Sequence, residues 1–207
     1  MDVEDIGKFL TAIQGSKYEY PLFVAVFTGL RQGELLGPTW DCVDFENGLL
    51  LINKQHNRVK GDTEFRFASL KNGKALVLTV ADEVMEVLNL QKRRQEVWPA
   101  TLGDGWSNSD NLVFTTEFGR YINNKVLYQN FKRIMKKLGN PNLRFHDLRH
   151  TYAVNSLRAG DDIKTLQENL GHATASFTLS TYAHATPGMK RESAKRMTDF
   201  IHTVQGA

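Results

Sequence analysis

The stretch FHDLRHTYA, residues 145 to 153, sets His146 and Arg149 three positions apart where a helix is expected to begin. At that spacing the two side chains share one helix face and can meet one ligand. Working outward, LGHATASFTLSTYAHA, residues 170 to 185, adds His172 and the candidate nucleophile Tyr182. Far upstream, TGLRQGELL, residues 28 to 36, adds Arg31. Two guanidiniums, two imidazoles and a phenol are a set of groups able to break a phosphodiester without a metal.

Each member also has an ordinary reading. A histidine and an arginine one turn apart are usually a surface pair. Arg31 and Glu34, at i and i+3, make a helix-surface ion pair worth a few tenths of a kcal/mol. His172 follows Leu170-Gly171 and fits a helix end. Tyr182 is one of six tyrosines, and a phenol with a pKa near 10 attacks poorly unless cations or a base assist it. His146 and His150, at i and i+4, have zinc-ligand spacing. The zinc protease motif places Glu after its first histidine, however, and Asp147 stands there with no obvious third ligand. The sequence therefore predicts no metal site.

The 207 residues, 41% hydrophobic and 24% charged, describe an ordinary globular chain able to bury a core. The net charge of +3 says little about partners, so local clustering of Lys and Arg matters more. One cysteine, Cys42, excludes an internal disulfide framework and a multi-thiolate metal site. That suits a reducing cytosol. The longest apolar run, PLFVAVF at 21 to 27, is far short of a membrane span, and the acidic, amphipathic start does not read as a secretory signal.

Val3, Ile6, Phe9, Leu10 and Ile13 keep helical spacing after Asp2, a natural cap. Residues 18 to 30 predict a buried helix closed by Gly29. The next begins around Arg31 to Glu34 and ends at Gly37-Pro38, presenting Arg31 at a kink. Short β-like runs follow at 41 to 45, 48 to 53, 64 to 70 and 74 to 80, punctuated by Gly48, Gly61-Asp62 and Asn72-Gly73. Asn-Gly between two such runs is a hairpin signal that sets Lys71 beside the turn. Residues 82 to 98 predict a helix, 99 to 110 a loop, 111 to 115 a short strand and 121 to 138 a helix. Three short helices are expected at 147 to 159, 161 to 170 and 174 to 183, and a last one from Pro187 to about 204. The fold class is α+β, mostly α-helical, with a small antiparallel sheet on one flank, and the chain reads as one domain.

Lys71 has the ordinary reading of a hairpin lysine. Beside two arginines and a phosphate, its proton can instead pass to a leaving oxygen. Lys54, Arg58, Lys60, Arg66 and Lys74 lie around it, and Lys125, Lys132, Arg133 and Arg144 come later. Such runs are usually solvated faces, but two of them flanking a phosphate site make a track for DNA.

The joint pattern, in order from Arg31 to Tyr182, resembles the tyrosine recombinases of the phage-integrase family, in particular integrases of conjugative transposons and phages of Gram-positive bacteria. That resemblance implies residues 1–207 as the catalytic domain. Arg31 and Arg149 would grip the scissile phosphate, with His146 and His172 as its histidines. Lys71 would be the general acid, Tyr182 the nucleophile, Glu34 the support of the first arginine, and His150 structural support. The family pattern usually includes N-terminal core-binding and arm-binding domains, so an excised or truncated fragment is expected. Leu78-Thr79 stands where many relatives carry a proline, which leaves Lys74 as an alternative acid.

The implied activity is site-specific DNA strand cleavage and rejoining through a 3′-phosphotyrosyl intermediate, for integration and excision of a mobile element or phage. It needs no cofactor. The implied partners are a double-stranded recombination site and a homotetramer, with residues 188 to 207 docking on a neighbour, in a bacterial cytoplasm at the nucleoid and not at a membrane. Two alternatives share parts of the pattern: a type IB topoisomerase-like strand transferase and a catalytically silent DNA-binding regulator.

Overall fold

Asp2 accepts the backbone N–H of Asp5 at 2.8 Å and so caps α1, Val3–Ile13, whose Phe9 and Ile13 turn inward. The computed structural model describes residues 1–58, 65–69, 74–171 and 187–205. Helix α2, Glu19–Thr28, buries Leu22, Val24, Ala25 and Val26 and runs through the core. It stops at Gly29, where φ is +64° and the N–H donates to the Ala25 carbonyl. A Cβ at Gly29 would also lie 2.6 Å from Tyr152 Cδ1, so the position excludes a side chain on two counts. After a tight corner, α3, Gln32–Leu36, begins with Arg31 as its N-cap residue.

The strands are β1 (Val43–Asp44), β2 (Leu49–Ile52), β3 (Lys54–Arg58), β4 (Phe65–Ser69) and β5 (Leu76–Thr79). They form a three-stranded antiparallel sheet in the order β1-β2-β5 and a separate β3-β4 ribbon. Leu50 faces Leu78 and Ile52 faces Leu76, which puts the buried side chains of the sheet on one face. The hairpin expected at Asn72-Gly73 does not pair its two flanks. Instead β4 pairs back with β3, and β5 returns to β2. The β3 strand, Lys-Gln-His-Asn-Arg, was not expected, because it has no apolar alternation to mark it.

Helix α4, Asp82–Leu102, passes through Pro99 rather than ending before it. Proline there forfeits one hydrogen bond close to the helix end, while the Pro99 carbonyl still receives the Gly103 N–H. The expected strand at 111 to 115 is an irregular segment, bent at Val113 and Phe114, with isolated bridges from Leu112 to Thr39 and from Thr115 to Tyr121. Glutamine side chains from α4 take the place of a neighbouring strand: Gln91 donates to the Val113 carbonyl at 3.0 Å and Gln95 to the same oxygen at 2.9 Å. Helix α5, Asn124–Lys137, starts three residues later than expected, because the Asn123 side chain caps it at the Lys125 N–H and Tyr121 bridges back to Thr115.

Helix α6, Asp147–Ala159, and α7, Ile163–Leu170, match expectation, with Asp162 capping the second and Gly160 and Gly171 ending them in left-handed conformations. The helix expected at 174 to 183 lies outside the described residues, and a last helix runs Pro187–Gln205. The main core gathers α1, α2, α4, α5, the inner sheet face and Phe145 and Leu148 at the start of α6. Each fully buried side chain there, such as Leu127 or Phe131, contributes about 1.5–3 kcal/mol. A smaller cluster of Ala153, Leu157, Leu166 and Leu170 joins α6 to α7. Among the described residues no helix is long and apolar enough to cross a membrane.

Candidate active site

Arg149 is 2% exposed and sits where three elements meet. Its Nη1 donates to the Gly29 carbonyl at 3.0 Å, and its Nη2 donates to the Leu170 carbonyl. Gly29 ends α2 and Leu170 ends α7, so both acceptors lie at helix C-termini, where carbonyls lack helical partners and carry partial negative charge. Those two bonds fix the plane of the guanidinium. Arg149 itself is anchored one turn into α6, just behind His146 at the helix start.

Glu34 draws the second arginine to the same place. Its Oε1 lies 2.6 Å from Arg31 Nη1 and its Oε2 accepts the Arg31 backbone N–H at 3.0 Å. The same Oε2 lies 4.0 Å from Arg149 Nη1. One largely buried carboxylate therefore stands between two guanidiniums and leaves a net positive charge. Arg31 stays partly open to solvent while Arg149 is enclosed. The result is a cationic pocket wall with one fixed and one accessible guanidinium, a geometry suited to two nonbridging oxygens of a tetrahedral anion.

His146 lies on the exposed side of that wall, its ring edge-to-face with His150 at 5.3 Å between centroids and 88° between planes. Although the ring is open to solvent on one side, partial desolvation by the protein around it holds its pKa below the ordinary histidine value. Repulsion from His150, Arg149 and Arg31 lowers it further, against the opposing pull of Asp147. Arg31 and Arg149 thus act on one imidazole from distant parts of the chain. The neutral ring they favour is one that can accept a proton. Among the described residues no group of three His, Cys, Asp or Glu side chains could hold a metal ion.

His172, Tyr182, Lys71 and Lys60 lie outside the described residues. Of the other cations expected to form a track, Lys54 opens β3 and Arg58 closes it, with Arg66 opposite Asn57 in β4. Lys74 is exposed just before β5. Lys125 and Lys132, seven positions apart, follow one stripe of α5, and Arg133 is exposed beside Lys132. The start of α5 is tied to the site's own helix, since Gln32 Nε2 donates to the Asn124 carbonyl at 2.7 Å. Two cations have other duties. Lys132 Nζ donates to the carbonyls of Pro141 and Leu143, and Arg144 pairs with Asp147 at 3.0 Å.

Sequence reasoning missed His56, which is 1% exposed, stacks on Tyr121 at 4.8 Å and faces Asn124 at the junction of β3 and α5. It also missed that Gly29 offers its carbonyl to Arg149. The Gly29-Leu30-Arg31 order was visible, but the partner was not, because no local pattern encodes a contact between α2 and α6.

With this geometry in hand, comparison with known proteins gives a consistent result. Residues 1–189 match the family model described as the phage integrase family. A tyrosine recombinase XerC-like protein of Caldanaerobacter subterraneus subsp. tengcongensis is 32% identical over 96% of this chain and 53% of its own length. The transposase of transposon Tn916 from Enterococcus faecalis is 31% identical over 88% of this chain and 46% of its own length. This chain thus spans about half the length of the curated relatives it matches. The structure of the Tn1549 transposon integrase in complex with transposon right end DNA superposes with a TM-score of 0.76 at 25% identity, covering 96% of this chain and 65% of that one.

Proposed function

Because the chain belongs to the phage integrase family, we propose that residues 1–207 are the catalytic domain of a site-specific DNA recombinase that cleaves and rejoins strands through a covalent tyrosine intermediate. The observation that carries this reading is the convergence of Arg31, Glu34, Arg149 and His146 on one cationic wall. The DNA-bound Tn1549 integrase, similar over nearly the whole chain, supports the choice of substrate.

In this reading Arg31 and Arg149 hold the nonbridging oxygens of the scissile phosphate, with His172 adding a third donor. Tyr182 Oη attacks phosphorus in line, His146 receives the phenolic proton, and Lys71 protonates the departing 5′ oxygen. The phosphate passes from a sugar ester to a tyrosyl ester, so bond energy is conserved and no nucleotide is consumed. Attack by the hydroxyl of a partner strand reverses the step, with acid and base exchanged. Lys54, Arg58, Lys60, Arg66, Lys74, Lys125 and Arg133 serve the flanking phosphates.

Assembly follows from the last helix, on which Met197, Phe200, Ile201 and Val204 are 58%, 62%, 44% and 60% exposed. Those apolar side chains suit docking on a second copy, as a tetramer on two DNA sites requires. The experiment is incubation with nicked duplex DNA in EDTA, followed by a denaturing gel. The reading expects a protein–DNA adduct from the natural chain and its loss in Arg149→Lys, because lysine cannot supply the planar fork. No adduct from the natural chain on a DNA that it binds specifically would overturn it.

A further inference from the structure

Tyr152 sits one turn after Arg149 on α6 and meets the same two helices. Its ring fills the space beside Gly29, where a Cβ would lie 2.6 Å from Cδ1, and its Oη accepts a hydrogen bond from Asn169 Nδ2 at 3.2 Å. Arg149 holds the very next residue of α7 by donating to the Leu170 carbonyl. The last turn of α7 is therefore tied to α6 by two adjacent bonds, one to a side chain and one to the backbone. With Leu166 and Leu170 packed on α6, the two bonds add directional restraints at the helix end that apolar packing alone does not supply. The helix ends at Gly171 in a left-handed conformation, and the next residue in sequence is His172.

We propose that Tyr152 is a positioning residue: its phenol oxygen, bonded to Asn169, locks the end of α7 against Arg149 and so sets the direction in which the chain leaves towards His172 and Tyr182. The catalytic consequence rests on the recombinase reading; the lock itself does not. Burial keeps the phenol protonated by pushing its pKa above the ordinary tyrosine range, so Tyr152 serves as a neutral hydrogen-bonding group and not as a second nucleophile. Phenylalanine would fill the same slot beside Gly29, which makes the hydroxyl separable from the packing.

The test uses the full chain as Tyr152→Phe, Asn169→Leu and the double variant. Amide hydrogen exchange is read at Leu170 and Gly171, and adduct formation is read on a pool of nicked duplexes randomised across the core. Tyr152→Phe is expected to speed exchange at the end of α7 and to slow adduct formation by about tenfold, with affinity for the selected duplex held within about twofold. The double variant removes both members of the Tyr152–Asn169 bond, and Ser156, which also meets the phenol oxygen, keeps Asp161 as its partner. Melting temperature should therefore be regained, while adduct formation stays slow because the lock is not rebuilt. Natural exchange and adduct rate in Tyr152→Phe would overturn the proposal. So would a rate that recovers with melting temperature in the double variant, since that is the behaviour of a residue serving stability alone. A natural chain that forms no adduct would instead refute the recombinase reading, and the exchange measurement would then decide the lock by itself.

Discussion

Arg149 donates through Nη1 to the carbonyl oxygen of Gly29 at 3.0 Å, joining the start of α6 to the end of α2 across 120 positions of sequence. The bond makes a backbone atom of one motif the anchor for the guanidinium of another. It accounts for the order TGLR at 28 to 31. The glycine ends α2 and orients Arg149, and two residues later the chain delivers Arg31 beside it.

Gly29→Ala is accordingly expected to be costly. The left-handed φ and the 2.6 Å approach to Tyr152 Cδ1 act together, for a loss of about 2–4 kcal/mol in a denaturant melt. Pairing it with Tyr152→Leu should recover the steric share and not the backbone share. Natural stability in Gly29→Ala would contradict the packing described here.

Removing the carboxylate between the arginines should separate charge from shape. Glu34→Ala leaves two guanidiniums facing one another, and a loss of about 1–2 kcal/mol is expected, moderated because the Arg31 side chain is 39% exposed. Glu34→Gln keeps the acceptor for the Arg31 N–H and should lose less. Equal losses in both variants would mean that the charge alone carries the effect and that the retained acceptor contributes nothing, contrary to the hydrogen bond described here.

The pH dependence has a defined sign. The folded-state pKa of His146 lies below its ordinary value of 6.5, so protons bind it more readily in the unfolded chain. Its contribution to stability is therefore complete above that value and is lost as pH falls towards the folded pKa. As the proton acceptor, it should give an adduct rate that rises with pH, with its midpoint below 6.5, and is level by neutrality. A midpoint above 6.5 would assign the acid limb to another group.

The cations of α5 should divide by what they already touch. Lys125 is exposed, so Lys125→Ala should reduce the slope of log affinity against log salt by about one. Lys132 is committed to the carbonyls of Pro141 and Leu143, so Lys132→Ala should lower melting temperature and leave the slope nearly unchanged. The reverse assignment would move the DNA along the same stripe, from the start of α5 towards its end.

The parts legible in the sequence were those written locally. Asp2 and Gly29 bound their helices as read, and His146 and Arg149 share the start of α6. What escaped was encoded across distance. The β3 strand is polar because its His56 packs on Tyr121 and Asn124 rather than in an alternating apolar row. Residues 111 to 115 are held by the side chains of Gln91 and Gln95, so no second strand marks them. Asn72-Gly73 lies outside the described residues, and β4 and β5 on either side of it pair with β3 and β2 rather than with each other. Arg149 was found by its motif, whereas its acceptors Gly29 and Leu170 became visible only in three dimensions.

The central claim is that Tyr182 becomes the covalent link to DNA at the Arg31–Arg149 wall. Its most direct test is mass spectrometry of the protease-digested adduct formed on a nicked duplex, beside the Tyr182→Phe variant. The account predicts DNA attached to the peptide containing Tyr182, through tyrosine oxygen, and no adduct from Tyr182→Phe at undiminished DNA binding. Attachment to any other residue, or an adduct that persists in Tyr182→Phe, would contradict it.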